Sequence, residues 1–109
     1  MTIRDIYEAG KDLRILEERL CQDNYIEAVI LFSQMEEWFE RLDNLMGSAV
    51  KPVGVNPTKE HAVLTKPYGG ILAEQCLYFN VDNLWKIIVM FWPWQNRENV
   101  TIKIILETA

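Results

Sequence analysis

Residues 25–46 read YIEAVILFSQMEEWFERLDNLM, and how this stretch divides decides the fold. Leu31, Met35, Trp38, Leu42 and Leu45 return at three- and four-residue steps, with Ala28, Phe32, Phe39 and Met46 on their flank, the apolar stripe of a helix. That period predicts one helix from Tyr25 to about Leu45, closed at Gly47 by a residue suited to a left-handed terminus. Working backwards, Gln22-Asp23-Asn24 is a short polar break, with Asn24 and Glu27 at capping-pair spacing. Before it, Ile3, Ile6, Tyr7, Leu13, Leu16 and Leu20 share a second helical face, and Thr2 with Asp5 marks its start. Gly10 lies on that stripe, where the close approach of a neighbour would explain its helix cost relative to Ala. Two helices joined by so short a turn form an antiparallel hairpin over residues 2–46.

Working forwards, residues 47–57 (GSAVKPVGVNP) carry two glycines and two prolines, so residues 47–59 read as a loop. Strands are predicted at 61–66, 71–80, 84–92 and 99–107, although residues 71–77 (ILAEQCL) fit a helix equally well. In the last strand Val100, Ile102, Ile104 and Leu106 face one way and Thr101, Lys103 and Glu107 the other, with Ile105 as the exception. Turn chemistry at Pro67-Tyr68-Gly69-Gly70 and Val81-Asp82-Asn83, and a loop at 94–98, separate them. The expected architecture is a single α+β domain over residues 1–109. In it the helical hairpin packs in two layers on a four-stranded antiparallel meander spanning residues 60–107.

With 109 residues, half of them hydrophobic and a quarter charged, the chain has the balance of a globular domain. A net charge of −5 argues against direct nucleic-acid binding, whose footprint is a clustered excess of Lys and Arg, and points to a basic partner. It also fits poorly with a toxin-like ribonuclease. Cys21 and Cys76 sit among apolar neighbours and read as reduced thiols. The amino terminus lacks a signal-type apolar core and no run approaches ~18 apolar residues. A cytoplasmic location with no membrane contact is expected.

No nucleophile elbow, phosphate loop or metal-ligand spacing appears. His61 is the only histidine. With Glu60 it resembles an acid/base pair, but adjacent strand residues point to opposite faces, so His61 reads as a surface residue. The expectation is a non-enzymatic protein with no catalytic residue, metal or cofactor.

Charge placement says more than charge total. Residues 17–43 carry eight acids against Arg19 and Arg41, while residues 1–16 balance three with three and residues 44–109 hold five acids against six bases. Glu36, Glu40 and Asp43, with Glu37 farther round, form a stripe opposite the core arc. Like charges four residues apart repel, so helix stability alone does not favour the pattern. In the first half of this segment Ile26, Val29 and Ile30 need a cover, either the 47–59 loop or a partner. Residues 84–92 (LWKIIVMFW) are apolar on both faces, so the second sheet face needs a cover too: the Pro/Gly loop, a concave pocket or a second copy. Trp94, in a loop, is expected to be partly exposed.

The leading expectation is a small acidic interaction protein of the immunity or anti-defence kind. It inhibits a basic, nucleic-acid-handling partner through Glu36, Glu37, Glu40, Asp43, Ile30 and Trp94. A rival is a ligand-binding or enzymatic pocket lined by Trp38, Tyr78, Trp85 and Phe91, whose element order is similar to the cone-shaped nuclear-transport-factor-like fold. A third is a homodimeric adaptor paired through its second sheet face.

Overall fold

The computed structural model describes residues 1–108. The elements run α1 (Ile3–Glu8), β1 (Ile15–Cys21), β2 (Tyr25–Leu31), α2 (Met35–Met46), α3 (Lys59–Thr65), β3 (Cys76–Val81), β4 (Trp85–Pro93) and β5 (Asn99–Thr108). The strands form one antiparallel sheet in the order β1-β2-β5-β4-β3. The fold is therefore α+β, as expected. The helical hairpin is corrected to a β-hairpin plus a separate helix, and the four-stranded meander to five strands.

The correction turns on YIEAVIL. These seven residues are apolar nearly all round because β2 lies between β1 and β5 and is buried on both sides. Ile26, Ala28 and Ile30 face α1 and α2, while Tyr25 and Val29 face the other side. Ile26 and Ile30 are thus covered by α1 and α2, while Val29 is buried on the opposite face. The Gln22–Asn24 break does join antiparallel neighbours, but they are strands, with the Gln22 amide donating to the Tyr25 carbonyl at 2.9 Å.

In the first segment the helix stops at Glu8. Its start is as read: the Thr2 hydroxyl accepts from the Asp5 amide at 3.1 Å, and the Asp5 carboxylate accepts from the Thr2 amide at 2.8 Å. Gly10 marks the break, and its neighbour is the Trp38 indole, 2.2 Å from where a Cβ would stand. Beyond it β1 is an edge strand whose register shifts twice, at Leu16 and at Arg19. Leu16 and Leu20 therefore end up exposed rather than on a buried stripe.

Of residues 61–66, read as a strand, 61–65 belong to α3 and Lys66 opens a 3-10 turn. The start of α3 is a reciprocal cap: Thr58 Oγ1 accepts from the His61 amide and His61 Nδ1 accepts from the Thr58 amide, both at 3.1 Å. Residues 71–75 are turn, so the third predicted strand shortens to β3. β4 and β5 lie where the sequence placed them.

The sheet carries apolar clusters on both faces. On one, Ile3 and Ile6 of α1 and Met35, Trp38, Leu42 and Met46 of α2 pack on Ile30, Val89, Phe91 and Ile102. On the other, Ile71 with half-buried Leu64 and Tyr68 covers Leu77, Ile88, Met90 and Ile105. Ile105, the exception in β5, is 1% exposed because this second cover exists. The chain thus covers the centre of its second sheet face itself. Gly69 permits the cover: its φ is +105° and an added Cβ would lie 2.4 Å from the Trp92 ring. Lys51, on the strap before α3, is fully buried and donates to the carbonyls of Pro52 (2.9 Å), Ala73 (2.7 Å) and Gln75, tying the strap to the segment before β3.

Candidate functional site

α2 is a twelve-residue helix whose buried side, Met35, Trp38, Leu42 and Met46, locks it to the sheet. Its outer side carries the predicted acidic residues: Glu36, Glu37, Glu40 and Asp43 are all exposed. Four carboxylates against Arg41 give this helix three of the chain's five net negative charges. Glu36 and Glu37 occupy the first turn, where the helix dipole favours them. Glu40 and Asp43 have no such reason, since the last turn, where cations would help, holds no basic residue.

Two contacts shape the stripe. On one side Arg41 reaches Glu37 at 3.6 Å and binds the Asp12 carboxylate with both guanidinium nitrogens, while donating to the Ala9 carbonyl at 2.8 Å. This pins the turn after α1 against α2 and adds Asp12 to the acidic surface. The Arg41 contact holds the Asp12 carboxyl below the usual carboxylate range. On the other side the Tyr78 hydroxyl donates to Asp43 at 2.7 Å. Burial, this bond and the charges of Asp43 and Glu36 raise the Tyr78 hydroxyl well above its ordinary value. Glu36 and Glu40 make no ion pair among the described residues. Asp12 and Tyr78 escaped the sequence reading because both arrive through tertiary packing.

The other predicted residues lie apart from the stripe. Ile30 is 0% exposed on β2, inside the core beneath α2, so its assignment to a partner surface is corrected. Trp94 is half-buried, as expected. Its Nε1 donates to Thr101 Oγ1 at 2.9 Å and the Arg19 guanidinium lies 5.6 Å from its ring. It also borders a cleft of about 420 Å³ with Phe32 and with Met35 at the start of α2. The remaining acids of the 17–43 segment do not join the stripe. Glu17 and Glu18 stand on β1, and Arg19 pairs with Glu17 at 2.6 Å and with Glu27 at 3.5 Å.

Of the four rings expected around a cone-like pocket, Trp38 and Phe91 are 0% and Tyr78 2% exposed, packed within the core, whereas Trp85 is exposed at the start of β4. Phe39 and Phe91 stack edge to face at 4.9 Å between centroids. Cys21 and Cys76 are both free thiols. His61 serves as the cap of α3. Among the described residues no group of three or more His, Cys, Asp or Glu converges on a metal position, and no helix is long and apolar enough to cross a membrane. No protein-family model, curated protein or solved structure gives a significant match to this chain.

Proposed function

We propose that this chain is an interaction protein whose α2 face occupies a cationic surface on a partner protein and so blocks it. A nucleic-acid-handling partner is the class whose functional surface carries such charge, since phosphate binding demands it. The observation that carries the reading is that Glu36 and Glu40 stand exposed on a helix and form no ion pair among the described residues. Glu37 and Asp43 flank them, partly engaged by Arg41 and Tyr78. Carboxylates held in fixed positions stand in for phosphates without paying to order a flexible tail. Trp94, across a cleft from Met35 at the start of α2, supplies a separate aromatic contact apart from the acidic stripe.

The test uses Glu36→Lys with Glu40→Lys, because neither side chain makes a hydrogen bond or ion pair among the described residues. Wild-type and variant chains serve as paired baits in extracts of the native host. The proposal expects a basic, nucleic-acid-binding protein retained by wild type alone, whose nucleic-acid binding the purified wild-type chain suppresses, less so as salt rises. Equal retention by both baits, or a retained partner with no basic surface, would remove it.

A further inference from the structure

Across the sheet from α2, α3 and strands β3, β4 and β5 bound a groove of about 800 Å³. That volume falls within the ~300–1,000 Å³ typical of small-molecule sites. Its apolar lining is Val50, Val63, Leu64, Pro67 and Phe79, contributed by the strap, α3 and β3. Val63 is 74% exposed and Val50 44%, although the neighbouring Ile71, Leu77 and Ile88 are buried. The second sheet face is thus closed over its centre and left open along this side.

The polar groups of the groove are not interchangeable. His61 lines it, and because its Nδ1 accepts the Thr58 amide, the neutral ring turns a donating Nε2–H outward. Lys59 and Lys86 also line it, and neither has a carboxylate within ion-pair distance among the described residues. Of the two carboxylates present one is engaged: Glu107, opposite Lys86 in the β4–β5 register, accepts the Tyr68 hydroxyl. Glu60 is exposed in the first turn of α3, its carboxyl held below the usual range by its backbone amide and Thr58. Formal charge balances around the groove, so recognition there is local: unused donors beside an apolar floor.

We propose that this groove binds a small amphipathic acid, its apolar body on Phe79, Leu64 and Val50 and its anionic head at His61 Nε2 and the Lys86 ammonium. A cationic amphiphile would meet the same floor but set its charge against two donors, and a neutral one would forgo the charge-assisted bonds. This site is independent of the acidic face of α2, which lies on the other side of the sheet.

Calorimetric titration with decanoate, decanol and decyltrimethylammonium, each below its aggregation concentration, tests the proposal. Decanoate is expected to bind one per chain, decanol roughly tenfold more weakly and the cation not at all. Lys86→Gln is expected to bring decanoate down to the affinity of decanol. Val63→Glu, at an exposed position that leaves the core untouched, is expected to abolish binding. Amide shifts confined to residues 59–68 and 79–86 give a readout that needs no variant. Equal affinity for all three probes, no saturable decanoate binding, or binding indifferent to both substitutions would overturn the proposal. So would a mass in solution that rises with concentration and is reset by Val63→Glu, which would give the groove to a second copy.

Discussion

Replacing Gly10 with Ala probes how the turn after α1 meets the core. A Cβ there would stand 2.2, 2.3 and 2.5 Å from three carbons of the Trp38 six-membered ring. Carbon pairs settle at about 3.5–4 Å, so the ring or the turn must retreat by more than about 1 Å. The ring has nowhere to go, being 0% exposed beneath α2. Overpacking of this kind costs about 1–3 kcal/mol, against which the stiffer unfolded chain returns about 0.4–1 kcal/mol. A net loss of about 1–1.5 kcal/mol is expected, lowering the melting temperature by roughly 5–10 °C. Trp38→Phe removes the atoms that the new methyl meets. It also removes the Trp38 N–H, which is buried without a partner, so this change costs less than the lost area alone suggests. Urea unfolding followed by circular dichroism on both single variants and the double variant closes the cycle. The Gly10→Ala penalty should shrink below about 1 kcal/mol in the Trp38→Phe background. An equal penalty in both backgrounds would show that the clash with the indole is not its cause.

Lys51→Met leaves the Gln75 carbonyl without its donor, while the Ala73 and Pro52 carbonyls keep the amides of Gly54 and Val55. A loss of about 1–3 kcal/mol is expected, with faster hydrogen exchange at the Leu77 amide that the strap pairs. A neutral substitution in denaturant titrations would refute this role. Alkaline pH acts on several buried acids at once. Burial pushes the Cys76 thiol and the Tyr68 hydroxyl up to about 12 from ordinary values of 9.0 and 10.0, Tyr68 being helped by Glu107. Tyr7, Tyr25 and Tyr78 are raised too, by burial first and then by Glu18, Glu27 and Asp43. The unfolded chain releases these protons first, so stability is full below the ordinary values and falls as pH climbs from 9.0 toward about 12. Tyrosinate absorbance should show none of the four tyrosines ionising at 10.0 in the folded protein, and one that does would contradict the assignment. Arg41→Gln removes the one cation of α2 and should tighten binding of a cationic partner by roughly twofold to fivefold, read by calorimetry. Weaker binding would mean that Arg41 itself makes contact.

What the sequence disclosed follows from where each residue lies. β4 and β5 were readable because their alternation and turn residues agree. YIEAVIL was not, since a short apolar run buried on both sides has no period that separates strand from helix. Its β-branched Ile26, Val29 and Ile30 were the available arbiter. β1 was hidden by its own bulges, which break the alternation of ILEERLC at Leu16 and Arg19. α3 was hidden by the strand-favouring AVLT, although Thr58 and the residue three beyond it carried a cap signal. The acidic stripe remained visible because residues 35–46 are helical under either division of the segment. Ile30 was lost as a surface residue when its segment became β2.

The proposed recognition of cations belongs to α2 rather than to the chain's negative charge at large. A short oligolysine peptide titrated into labelled protein at low salt, with amide shifts followed residue by residue, distinguishes the two. Saturating shifts are expected over residues 35–46 and around Asp12, lost in the Glu36→Lys, Glu40→Lys variant. Weak shifts spread evenly over all 16 acidic residues, or centred on Glu17 and Glu18 of β1, would contradict it.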